Sequence, residues 1–305
     1  MRWCATRRAP CSPSTRASSS PRRCRPSPPG TAARCAGARP APGRHWSATP
    51  AGPGSSAAYF GGLPELAAER TLLLLDPRGT GGSDRPADPA AYDLEDYAGD
   101  LEALRRELGL ERIDLLGHSH GGFVAMCWAG AHPDRVNRLV LASTAPRFTD
   151  AIREARMQRV AEHRGQPYFE DATAALMAHT SGDYATDEDL GRLYEREARI
   201  FAPPGADVDD ALVTLARAGT NADALRHFND HVAGAMDLRA SLAAVGAPTL
   251  VITGEVDPMG TPAAQELAEA LPDATLVVVP GDHFPFLEPE HRPRWSRAVL
   301  EFLAV

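Results

Sequence analysis

Lysine is absent: all 32 basic residues of this 305-residue chain are arginines. That excludes a phosphate-binding loop ending in Gly-Lys-Ser/Thr, a Schiff base to pyridoxal phosphate and any other lysine-dependent catalysis. Leucine, isoleucine and valine are missing from residues 1–62, and no Asp or Glu precedes Glu65. Arg, Pro, Ser, Ala and Gly dominate there instead. Such a stretch buries too little apolar surface to offset its ordering entropy, so disorder is expected over residues 1–50. It has no apolar stretch of the kind a secretory signal needs. Its prolines spoil the amphipathic helix of a transit peptide, and a basic nucleic-acid tail is the other conventional reading. No apolar run anywhere approaches the roughly 20 residues of a membrane helix, so no membrane partner is expected.

Ten arginines precede Glu65, leaving 22 against 40 acidic residues beyond it, within a net charge of −8. The acidic body argues against nucleic acid and anionic membrane as partners. Four cysteines (Cys4, Cys11, Cys24 and Cys35) fall in the opening segment at spacings that match no zinc pattern. Only Cys127 remains after them, which reads as a cytoplasmic protein.

Ordinary globular composition begins abruptly near Ala57. One reading of that break is a shift of frame. If each codon starts with the last base of the one before, His45-Trp46 gives Leu for either His codon, and Trp46-Ser47 gives Val for any TCN serine. Suitable codons through Gly54 then permit Leu-Val-x-His-x-Gly-Gly-Pro-Gly. Resequencing the coding DNA across codons 1 to 56 decides it.

From Gly61 onward, 43% overall hydrophobic content is arranged as strand and helix in alternation, the signature of a mostly parallel sheet covered by helices on both faces. The pattern predicts helices over 64–70, 94–108, 121–131, 262–271 and 293–303, and strands over 71–75, 113–116, 139–142, 249–253 and 275–279. Gly109 is expected to close the second helix as its cap. Residues 147–239 read as helices only, too long a block for a loop and therefore an inserted lid. The expected organisation is a core of residues 51–146 and 240–305 with a lid of residues 147–239.

The strongest chemical signal is Gly117-His118-Ser119-His120-Gly121, set between an expected strand and an expected helix. A serine on such a turn is held on a sharp, strained bend, and glycines flank it because strand and helix backbones approach closely. Serine is a poor nucleophile until a base removes its proton, so a histidine and an orienting carboxylate should follow. Asp257, in Gly254-Glu255-Val256-Asp257-Pro258, and His283, in Gly281-Asp282-His283-Phe284-Pro285, each come just past a later strand. All three then emerge at the carboxyl edge of the sheet. Gly79, Gly81 and Gly82 do not complete a dinucleotide motif, because Asp84 occupies its last glycine position. His118, His120 and His132 lack partners at metal-ligand spacing, so no cofactor and no metal is expected. Cys127 reads as core.

These motifs, with the turn Asp76-Pro77-Arg78-Gly79-Thr80-Gly81-Gly82-Ser83 and the strand Leu139-Val140-Leu141-Ala142, resemble the α/β-hydrolase fold family over roughly residues 50–305. Within it, Gly52-Pro53-Gly54-Ser55-Ser56 is most similar to the proline iminopeptidases, whose oxyanion loop reads His-Gly-Gly-Pro-Gly. Here Pro50 and Ala51 stand in place of the His and first Gly, and His118-Ser119-His120 stands where iminopeptidases commonly have Gly-Ser-Trp. The resemblance implies that Ser119 attacks a carbonyl, His283 moves the proton and Asp257 orients the imidazole. Backbone N–H groups of His120 and Gly52 would hold the oxyanion. It further implies that the lid glutamates Glu195 and Glu197 hold a substrate amine, although plain helical surface charge is an open alternative. The expected activity is hydrolysis by acyl transfer on a small molecule or short peptide, either release of an N-terminal residue or cleavage of a small ester. Carbon–carbon bond hydrolysis, cofactor-free haloperoxidation and a non-catalytic binding protein with a damaged oxyanion loop stay open. The strand before that loop should lie centrally, between those of residues 71–75 and 113–116, and residues 40–50 are poor material for it.

Overall fold

The leucine- and valine-rich runs at the centre of the sheet form strands because each is buried on both sides, whereas the edge run Ala274–Val279 leaves Val278 exposed. The computed structural model describes residues 3–6, 46–50, 53–88, 90–205 and 219–304. Its strands are β1 (Trp3–Thr6), β2 (Trp46–Pro50), β3 (Thr71–Leu75), β4 (Ile113–His118), β5 (Val136–Ala142), β6 (Thr249–Gly254) and β7 (Ala274–Val279). They make one seven-stranded sheet of order β1-β3-β2-β4-β5-β6-β7. Only β1, at the edge, pairs antiparallel among the described strands.

Alternate residues of the central strands enter two separate cores. Leu115, Leu139, Leu141 and Val251 face one side with Leu101, Phe123 and Trp128. Leu116, Val140, Leu250 and Ile252 face the other with Phe60, Leu66 and Trp295. This period of two, with both faces apolar, is what a parallel sheet between helical layers requires. Each fully buried large side chain contributes about 1.5–3 kcal/mol. The covering helices include α1 (Pro64–Glu69), α2 (Leu94–Glu107) and α3 (His120–Ala131), followed in the chain by Thr261–Glu269 and Arg292–Ala304. Gly109 ends the α2 turn at φ +66°, where a side chain would be strained.

Within the segment expected to be disordered, two pieces are strands. β2 lies centrally, with Trp46 to Pro50 in register with Thr71 to Leu75 on one side and Ser47 and Ala48 opposite Asp114 and Leu115 on the other. The physical reason is that β3 and β4 turn rows of backbone N–H and C=O groups towards the gap between them, and only another backbone satisfies both. Backbone pairing is indifferent to side-chain apolarity, which was the sole ground for expecting disorder. The remainder of residues 1–50 lies outside the described residues.

Between β5 and β6 the described chain is helical, with α4 (Asp150–Glu162), α5 (Phe169–Ser181), α6 (Asp187–Glu197) and shorter turns through Val232. Thr149 and Thr186 cap α4 and α6 by accepting backbone N–H groups at the third helical position. This block is tied to the sheet through Asn221, which is fully buried. Its backbone N–H donates to Gly54 O (2.9 Å), and its amide donates to Gly79 O (3.1 Å) and Tyr92 Oη (3.0 Å). A Cβ on Gly54, which sits at φ +68°, would lie 2.5 Å from the Asn221 carbonyl oxygen, so the glycine is needed for this junction. The Asp-Pro-Arg-Gly turn is anchored to α2 by a bidentate Arg78–Asp100 pair, both contacts at 2.8 Å.

Candidate active site

Ser119 sits at φ 53° and ψ −119°, between the last residue of β4 and the first of α3. The conformation is strained for a residue with a Cβ, and it lifts the side chain off the sheet edge. The close crossing of strand and helix is measurable at the flanking glycines. A Cβ on Gly117 would meet Gly121 O at 2.4 Å, and one on Gly122 would meet Thr144 Oγ1 at 2.5 Å. Gly117→Ala is therefore expected to lower unfolding stability by about 1–3 kcal/mol through overpacking, read as a shift in urea midpoint. An unchanged midpoint would show that the elbow is looser than this geometry.

Asp257 follows β6 and His283 follows β7, as the chain order requires. The imidazole Nδ1 of His283 donates to Asp257 Oδ1 at 2.9 Å. That oxygen also accepts the Met259 N–H (2.8 Å), while Oδ2 accepts from Thr253 Oγ1 (3.0 Å). Burial pushes the Asp257 carboxyl up, but the charge and hydrogen bond of His283 and the Met259 N–H outweigh it, so the group sits below the usual carboxylate range. With Nδ1–H committed to Asp257, Nε2 is the nitrogen that can take a proton. Ser119 and His283 line one cavity of about 790 Å³, beneath the helical block.

A second histidine braces this arrangement. His118 Nε2 lies 2.8 Å from the His283 carbonyl oxygen, and Nδ1 lies 3.0 Å from Tyr59 Oη. A carbonyl oxygen only accepts, so Nε2 carries the hydrogen and Nδ1 receives the tyrosine hydroxyl. Burial, and then the neighbouring His283 charge, lower the His118 pKa to about 3. The elbow residue before the serine is thus a neutral latch on the backbone of His283.

Of the two oxyanion donors expected, His120 is the first residue of α3, where a backbone N–H has no intrahelical acceptor. Gly52 lies outside the described residues. The loop that follows it is positioned by Asp76, whose carboxylate accepts the N–H groups of Ala57 (2.9 Å) and Gly82 (2.8 Å). Glu197 and Glu195 part company, since residues two apart on a helix do not share a face. Glu197 is buried in the cavity wall with its carboxylate 2.9 Å from His179 Nδ1, whereas Glu195 is exposed and away from the lining. Cys127 packs partly buried against the core, and burial, then Glu95, raise its thiol to about 11.

Sequence reasoning missed Tyr59 and Asn221, each a single polar residue with no motif around it, and Thr253, which stands just before the acid loop. It also passed over His118 as a latch, although its place inside the elbow was a usable signal.

The alpha/beta hydrolase fold model matches residues 49–290. A 2-(acetamidomethylene)succinate hydrolase from Mesorhizobium japonicum is 31% identical over 234 residues, covering 75% of this chain and 78% of that one. A proline iminopeptidase from Levilactobacillus brevis is 29% identical over 252 residues, covering 78% and 81%. Among solved structures, a hydrolase from Pseudomonas aeruginosa superposes with a TM-score of 0.61 at 27% identity, over 87% of this chain and 92% of that one. A proline iminopeptidase from Mycobacterium smegmatis superposes with a TM-score of 0.65 at 22% identity, over 86% and 91%. Among the described residues no helix is long and apolar enough to cross a membrane. Elbow, sheet order and sequence match agree, and the chain belongs to the α/β-hydrolase fold family, as a hydrolase with proline iminopeptidases among its relatives.

Proposed function

We propose that the protein is a serine hydrolase that cleaves small esters or amides by acyl transfer through Ser119, His283 and Asp257. The observation that carries this reading is the His283–Asp257 pair, 2.9 Å apart at the sheet edge, lining the same cavity as the strained Ser119. Ser119 Oγ attacks the carbonyl carbon while His283 Nε2 takes its proton. The tetrahedral intermediate expels the leaving group, which receives that proton, and leaves an acyl-serine. Water, deprotonated by the same imidazole, then attacks and frees Ser119. The His120 N–H, with a second donor from the loop at Gly52, holds the oxyanion.

Residues 147–239 serve in this reading as the lid that selects substrate, over a core of residues 51–146 and 240–305. The occupant is a small molecule or short peptide, and neither nucleic acid nor membrane is a partner. A cytoplasmic setting accords with Cys127 standing alone after residue 35.

A fluorophosphonate probe tests the reading. The expected result is labelling of the wild type that disappears in Ser119→Ala. A folded wild type that takes no label would favour a protein that binds through this fold without catalysis.

A further inference from the structure

The lid side of the cavity carries a charge that the acyl-transfer steps leave unused. Arg153 and Arg156 are three residues apart on α4, hence on one face, and both line the cavity that holds Ser119 and His283. Their situations differ. Arg153 is exposed and ion-paired with Asp150 on its own helix. Arg156 is half-buried and has no hydrogen bond or ion-pair partner among the described residues. Glu197 acts on it only through its field, because the Glu197 carboxylate is engaged by His179. Burial lowers the Arg156 pKa from its ordinary value, with Glu197 opposing, and from so high a start the guanidinium stays cationic at neutral pH.

Withdrawing a guanidinium from water without giving it an acceptor is unfavourable, so an acceptor is expected to arrive with the ligand. The fork of an arginine matches a planar carboxylate through two parallel N–H···O bonds. A doubly charged phosphate would set one cation against two negative charges, with buried Glu197 in the same wall. An ammonium is disfavoured there as well, since it would lie beside the like charge of Arg156.

We propose that Arg156 is a substrate-binding residue that reads a carboxylate on the substrate, so that the ester or amide cleaved at Ser119 belongs to an organic acid. The proposal rests on the serine-hydrolase reading for its chemistry, although not for the binding itself.

Two substrate pairs and one ligand test it. Para-nitrophenyl glutarate is compared with para-nitrophenyl hexanoate to place the carboxylate on the acyl side, and meta-carboxyphenyl acetate with phenyl acetate to place it on the leaving group. In one of the pairs the wild type is expected to favour the anionic member in kcat/KM, and Arg156→Gln is expected to reduce that preference about 10- to 100-fold, the range for a lost charge-assisted bond. Arg156→Lys is expected to recover part of it, because the charge survives and the fork does not. Calorimetric binding of glutarate to the wild type, weakened by a similar factor in Arg156→Gln, is the second readout. An anionic preference absent from both pairs, or unaltered by Arg156→Gln, overturns the proposal. If the fluorophosphonate probe shows no active serine, the hydrolase reading falls by itself. Glutarate binding then judges Arg156 alone, and equal affinity in wild type and Arg156→Gln, or none in either, overturns it.

Discussion

Asp257→Ala is expected to lower kcat by about 10⁴-fold, the scale seen when the acid of such a triad is removed. Asp257→Asn is expected to lose only about 10- to 100-fold. The difference follows from how the carboxylate is held. Oδ1 accepts both His283 Nδ1–H (2.9 Å) and the Met259 N–H (2.8 Å), whereas Oδ2 meets Thr253 Oγ1 (3.0 Å). An asparagine satisfies all three by placing its oxygen at the Oδ1 site and its NH₂ against the threonine hydroxyl, which then accepts. The Met259 N–H forbids the opposite placement, in which an NH₂ would face a donor and force the imidazole into the wrong tautomer. What asparagine removes is the charge that steadies the imidazolium, and the step from a charged to a neutral acceptor is about 1.5–3 kcal/mol, or one to two decades in rate. Steady-state kinetics on any ester that the wild type turns over measure the ranking. Equal rates for Asn and Ala would mean that the oxygen does not stay with Met259 and that orientation, rather than charge, is the whole contribution of Asp257. Removing the hydroxyl by Thr253→Val frees the NH₂ from its acceptor, and in the double variant with Asp257→Asn the advantage over Ala should shrink.

Sheet and helices were legible because parallel strands buried on both faces read as short unbroken apolar runs, such as Leu72 to Leu75, and because covering helices keep their period. Ser119, Asp257 and His283 were legible for a related reason. A residue at the carboxyl end of a strand is located by the strand, so three strand ends in order place three side chains on one edge. The place of strand β2, between β3 and β4, was legible only through the family resemblance and not in its own residues, Trp46 to Pro50, because that place is determined by the hydrogen-bonding edges of its two neighbours. The division between Glu195 and Glu197 depended on which way α6 is rotated, and a helix with Leu190 and Leu193 inside and charges elsewhere leaves both glutamates available on paper. Arg156 was invisible for the same reason, being defined by the cavity it faces across the fold, and of His118 only the place inside the elbow could be read, not the His283 carbonyl that it meets.

The His118 latch is expected to cost the protein stability as the pH falls below about 6.5. Unfolded, the imidazole takes a proton as the pH falls through about 6.5; folded, burial and the His283 charge hold its pKa at about 3. The unfolded state therefore binds more protons throughout that window, and stability falls as the pH falls. The contribution is fully present above about pH 6.5 and is lost progressively towards pH 3, at up to about 1.4 kcal/mol for each pH unit. A loss of a few kcal/mol is a large fraction of the roughly 5–15 kcal/mol that holds a domain folded. His163, lowered by burial and then by Arg159, acts in the same direction. Carboxylates held low, such as Asp257, and Glu102 at about 2, lose their contribution from the ordinary carboxylate range downward, so a decline between pH 6.5 and 5 belongs to the histidines. Asp282 and Asp100, raised chiefly by burial, bind protons more readily folded than unfolded and act in the opposite sense, so the His118 share is read as a difference. On going from pH 6.5 to 5, the urea midpoint of the wild type should drop relative to that of His118→Gln, whose side chain does not titrate. If that variant does not fold, ring-proton NMR of the wild type answers instead, with the His118 resonances expected to stay fixed from pH 7 to 5. A His118 ring that titrates near 6.5 would mean that Tyr59 can turn its hydroxyl away and admit a proton at Nδ1, and the bond to the His283 carbonyl would then be a contact the site does not depend on.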